Sequence, residues 1–155
     1  AVRSLDYAEV MELYEMRAVL EATAARMAAL AASEIELEEL EAINAEMRAA
    51  SENPGLAYSL NRQFHTTLLD AARNRFLVKS AAAMEKTLLI LGRSTLSDPM
   101  RVQEAADEHA RLTAALRSRD PALAEREMRA HVEGAQRIRM RHLRDANRDH
   151  HTEEG

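Results

Sequence analysis

His109 stands eleven residues before Asp120, and His131 stands eleven residues after it. In an antiparallel helical hairpin that turns at Asp120, a rise of about 1.5 Å per residue puts both histidines ~16 Å from the turn. The two imidazoles therefore arrive at one height on adjacent helices. Ala105, Leu112 and Leu116 share His109's side by their spacing, and Met128, Ala135 and Ile138 share His131's. Both rings thus point at the core. A third imidazole, His65, follows Asn61 by one turn in "NRQFHTTLLDAARNRFL", where Phe64, Leu68 and Leu69 mark the packing side. Three converging histidines are a common ligand set for Zn²⁺ or a similar ion, because each neutral ring offers a lone pair. The alternative for any one of them is a core histidine hydrogen-bonded to a neighbour.

Helices must position these rings, and the composition supplies them. The 155 residues are rich in Ala, Leu, Met, Glu and Arg, with four Gly and three Pro, a profile that favours an all-α fold. A chain of this length makes one domain that buries roughly 70% of its unfolded surface. The pattern predicts six helices, over about 6–32, 34–50, 56–72, 75–96, 99–117 and 121–143. Leu13, Leu20 and Met27 form the leading stripe of the first, with Ala24 and Ala31 beside it. Ser33 and Glu36 offer a capping box for the second. The fourth contains "LLIL", apolar on every side, and is expected to be the central, most buried helix. "SDP" and "RDP" each set an Asp N-cap before a proline at the first helical position. Beyond residue 143 the sequence is polar and is expected to fray. The elements make an antiparallel bundle with short connections.

Several functions are disfavoured. Aromatics make up 3% of the chain and Trp is absent, so no stacking platform for single-stranded nucleic acid is expected. The lack of Cys removes disulfides and thiolate metal sites. No apolar run approaches the ~20 residues of a membrane span, and no signal peptide opens the chain. A formal charge of −5 argues against DNA binding by this piece alone. Since the first residue is Ala1, the chain reads as processed or as part of something longer.

The stretches "EMRAVLEATAARMAA", "NRQFHTTLLDAARNRFL" and "DEHARLTAALRSRDPALAEREMRAHV" follow one another in the order and spacing of a known domain. From about 14 to 132 the chain resembles the FCD domain, the C-terminal effector domain of FadR-type regulators in the GntR family of bacterial transcription factors. The resemblance implies an all-α antiparallel bundle of about six helices around a central ligand and metal cavity. Residues 1–155 would then be a single effector-binding and dimerisation domain, cytoplasmic and homodimeric. DNA would be reached only through an N-terminal winged helix-turn-helix that this chain does not contain. It also implies a divalent metal, zinc foremost with nickel or manganese as alternatives, held by Asn61, His65, His109 and His131. Asp is more frequent than Asn at the first of these positions. An amide oxygen is a weaker, neutral ligand, so the ion would keep its full charge and favour an anion in its open positions.

Arg17 shares a face with Leu13, Leu20 and Ala24. The resemblance places it, within "R..LE", at the cavity, where a guanidinium grips the carboxylate of a small organic acid. Its alternative is an ion pair with Glu21 one turn on. Arg93, one turn past Leu89, is a second candidate for effector binding or a partner for Glu85. "RIRMRHLR" reads as a solvated helix end, and His142, His150 and His151 as surface or tail residues. The competing function is a mononuclear metal-dependent hydrolase, for which Glu108 and Glu127 are the candidate bases. HExxH is absent. So is the Glu-x-x-His of di-iron bundles, since Ala106 and Met128 stand three before His109 and His131.

Overall fold

The structure, a computed structural model, describes residues 5–91 and 94–154, with side chains as far as residue 148. It is built from α1 (Tyr7–Ala31), α2 (Glu34–Ala49), α3 (Pro54–Ala71), α4 (Arg75–Leu89), α5 (Pro99–Arg117) and α6 (Pro121–Glu154). A short 3₁₀ turn over Thr95–Ser97 leads into α5. No strand occurs among the described residues. No helix among them is long and apolar enough to cross a membrane.

The helix starts carry their sequence signals. Ser33 and Glu36 close a reciprocal capping box. Asn53 and Asp98 cap α3 and α5 ahead of Pro54 and Pro99. Each satisfies N–H groups that have no partner inside the helix. The turn between α5 and α6 is a Schellman motif. Its Arg119 N–H donates to the Leu116 carbonyl at 3.0 Å and its Asp120 N–H to the Ala115 carbonyl at 3.1 Å. Arg119 adopts the left-handed conformation, at φ 54°, that glycine usually supplies there. Its guanidinium donates to the Ala29 carbonyl on α1 at 3.3 Å. Asp120 then caps α6 by accepting the Leu123 N–H at 3.1 Å.

α1 lies along α6 and buries small residues, with Ala18, Ala22, Ala25, Ala28 and Ala29 below Val10 and Tyr14. Leu13, Leu20 and Met27, expected to lead, are only half-buried. Leu20 and Met27 instead flank a minor cluster of Ala24, Ala72 and Leu77. The main core is filled by Leu37, Leu40 and Met47 of α2, Phe64 and Leu68 of α3, Leu112 and Leu116 of α5, and Met128 of α6.

Two expectations about elements are corrected. α4 stops at Leu89 and is peripheral, with Leu77 its buried residue. "LLIL" straddles the helix end, so Leu88 and Leu91 pack on the core while Leu89 and Ile90 turn outward. An all-round apolar run does not distinguish a central helix from one with a face left bare. α6 does not stop near 143 but continues to Glu154. No Pro or Gly interrupts it after Gly134, and polarity alone ends no helix.

Candidate metal centre and cavity

α3, α5 and α6 bring His65, His109 and His131 together as buried residues. The Nε2 of His131 lies 3.3 Å from that of His109 and 3.3 Å from that of His65. One nitrogen from each ring falls within 4.8 Å of the others. Phe64 stacks flat on His109 at a centroid distance of 3.9 Å and closes the back of the centre.

The opposite edge of each ring fixes its tautomer. His65 Nδ1 meets Glu21 Oε1, and His131 Nδ1 meets Glu108 Oε1 at 2.6 Å. Both carboxylates are held ionised, and an ionised carboxylate only accepts, so both Nδ1 atoms carry the proton. His109 Nδ1 meets Asn44 Oδ1 at 3.0 Å, while Asn44 Nδ2 donates to the Ala106 carbonyl at 2.9 Å. That orientation makes Asn44 an acceptor as well. When the rings are neutral, three Nε2 lone pairs therefore face one another.

Electrostatics keep two of the rings neutral. Burial, followed by the charges of His131 and His65, pushes His109 well below the ordinary histidine value. Burial also brings His131 down to about 4, outweighing the upward pull of the Glu108 hydrogen bond. Burial would raise both carboxylates. The Arg17 charge, then His65, overcome it at Glu21 and hold that carboxyl well below its usual range. Hydrogen bonds from His131 and Arg101 bring Glu108 down to about 2.

A cation would relieve the opposed lone pairs. Nitrogens sharing one tetrahedral ion at ~2.0–2.1 Å stand ~3.3 Å apart, the separation found for two of the three pairs. Asn61, one turn before His65, has a buried Oδ1 with no hydrogen-bond partner. A buried acceptor left this way is costly, and the donor set fits a divalent metal.

His65 and His131 line a cavity of about 130 Å³, whose walls also include Asn61, Arg17, Arg101 and Arg139, while His109 lies behind them. Both readings of Arg17 meet here. It lines the cavity, and its Nε lies 2.7 Å from Glu21 Oε2. Arg93 lies outside the described residues. Among the arginines of "RIRMRHLR", Arg139 is buried and approaches Tyr14 Oη at 3.4 Å. His142 is half-buried on α6, and the side chains of His150 and His151 lie outside the described residues. Glu108 is held by His131 and by both terminal nitrogens of Arg101, at 3.0 and 3.1 Å. Glu127 lies 3.6 Å from Arg111. Glu108 meets the Nδ1 edge of His131, not the Nε2 side where a hydrolytic base would act.

A model of the FCD domain family matches residues 12–134. This chain belongs to the FCD family. As an FCD domain it is an effector domain of a transcription regulator. Its fold is similar to the solved structure of E. coli McbR/YncC, with a TM-score of 0.77 over 90% of this chain and 68% of that one, at 18% identity. No curated protein matches it by sequence.

Sequence reasoning on this FCD domain missed what backs the rings, and considered Glu108 only as a hydrolytic base. Glu21 was visible only as a partner for Arg17, and Asn44 not at all. A lone amide among Leu37, Leu40, Ile43 and Met47 on the buried side of α2 is the signal that marks it. Arg101 and Glu108 stand two helical turns apart on α5 and share a face.

Proposed function

We propose that this FCD domain senses a small organic acid bound over a divalent metal, and that occupancy alters DNA binding by an attached winged helix-turn-helix. The observation that carries the reading is the convergence of three Nε2 lone pairs, two of them on rings that line a cavity with several arginines. His65, His109 and His131, with Asn61, would hold the ion, zinc foremost. The ion would supply positive charge and open positions for an anionic oxygen. Its protein ligands are neutral, and the walls carry Arg17, Arg62, Arg101 and Arg139 against Glu21 and Glu85, so positive charge is in surplus. An anion with an aliphatic body suits such a cavity, which also presents Leu20, Met84 and Leu88. Binding signals by population shift, and its strength is bounded by how differently the acid binds the two states of the domain. The domain acts as a sensor and performs no turnover.

Elemental analysis with native mass spectrometry of the purified domain tests this. One divalent ion per chain is expected, and none in the His109→Ala, His131→Ala double variant. Metal content unchanged by that double substitution sinks the site.

A further inference from the structure

Two of the three histidines are backed by charge, and the third is not. His65 leans on Glu21, which meets Arg17. His131 leans on Glu108, which accepts both terminal nitrogens of Arg101. His109 leans on the neutral amide of Asn44. Arg17 and Arg101 both line the cavity, on α1 and α5. Both pairs are left incomplete. Glu21 Oε2 has no aligned hydrogen bond although Arg17 is close, and the buried Arg101 Nε has no partner.

We propose that Glu21 and Glu108 are positioning residues that carry negative charge to the metal through His65 and His131. We further propose that Arg17 and Arg101, which share those carboxylates with the cavity, make metal affinity rise when an anion enters. The inference rests on the metal-and-anion reading above. A carboxylate on Nδ1–H makes Nε2 a stronger donor to a metal. An arginine on the same carboxylate draws part of that charge away. An anion in the cavity gives the guanidinium a second acceptor, and the carboxylate's charge returns to the imidazole. Coupling is reciprocal, so the metal tightens anion binding by the same factor. An anion bonded directly to the metal also produces coupling. Removing an arginine also removes its direct repulsion of a cation in the same cavity, so the variant that keeps net charge constant, with arginine and carboxylate both neutralised, is what isolates the charge arms.

The test is titration of Co²⁺ at pH 8 against a competing chelator, read by Co²⁺ d–d absorption, with and without malonate as the probe dicarboxylate. Glu21→Gln keeps a hydrogen-bond acceptor for His65 but loses the charge, and should weaken Co²⁺ by about 10–100-fold. Arg17→Gln should strengthen Co²⁺ several-fold without malonate and remove most of the gain malonate gives the wild type. Glu21→Gln alone leaves a buried arginine unpaired, so the Arg17→Gln, Glu21→Gln double variant separates folding from tuning. It should melt near the wild type yet bind Co²⁺ as weakly as Glu21→Gln. Equal Co²⁺ affinity in the wild type and the double variant overturns the inference, as does weaker Co²⁺ binding by Arg17→Gln. If that double variant does not fold, the Arg101→Gln, Glu108→Gln pair on the other arm decides in its place, with the same expected weakening. A wild type that binds no Co²⁺ overturns the metal reading itself, whereas normal binding unmoved by these variants overturns only the charge arms.

Discussion

Burial and a neighbouring carboxylate pull the His131 ring in opposite directions, and burial wins, leaving its pKa at about 4 against an ordinary 6.5. Between those values the unfolded chain binds a proton that the folded chain refuses. Stability of metal-stripped protein should therefore fall as pH drops from 6.5 toward 4. Glu108 extends the trend in the same direction. Its depressed carboxyl stabilises the fold above 4.5, and that contribution is lost as pH falls toward about 2. Thermal melts of the stripped protein should show both segments, and His131→Gln should flatten the upper one. A melting temperature constant from pH 7 to 4 would contradict the ring's neutrality. Arg17→Ala should weaken a bound carboxylic acid by about 1.5–3 kcal/mol, the range for a charged hydrogen bond, with metal retained. Calorimetry over a panel of small aliphatic acids measures it, and equal heats in both proteins would remove Arg17 from the effector site. His109 and His131 could be found from sequence because their equal distance from one turn fixes their height, and His65 because it lies on the packing side of its own helix. The partners of Glu21 and Asn44 could not, because they come from other helices, 44 and 65 residues away.

At the scale of elements, the α5–α6 turn sets the register of two of the metal-binding candidates. Arg119 holds a left-handed conformation costing roughly 1–2 kcal/mol for a residue with a Cβ, and its side chain bonds the Ala29 carbonyl. Arg119→Ala keeps the strain and loses the bond. Arg119→Gly loses the bond but relieves the strain. Urea unfolding should find the Gly variant about 1 kcal/mol more stable than the Ala variant, and the reverse order would mean the turn is held by something else. Asp–Pro pairs and the Ser33 capping box were legible because capping is local chemistry. The place of α4 was not. Its apolar residues fit a central helix as well as a peripheral one, and only the packing of α1 against α6 shows that the centre was already filled.

At the scale of the molecule, Met16 and Val19 on α1, Phe76 on α4, and Leu89 and Ile90 at its end stay exposed. Large apolar side chains left on a surface mark a face for association, and a homodimer is expected. Sedimentation at micromolar concentration should give twice the 17.4 kDa chain mass, and Phe76→Asp with Ile90→Asp should return single chains. A wild type that sediments as one chain would rule the dimer out. α6, finally, does not end with the bundle's other helices in sequence terms but runs 34 residues, a rod of about 51 Å. His131 sits on that rod with about 35 Å of helix beyond it. A tilt of only about 5° at the histidine end would sweep the far tip through about 3 Å, by the same helical rise. The rod would thus act as a lever with its short arm at His131, turning a small tilt there into a displacement of several ångströms at its far end.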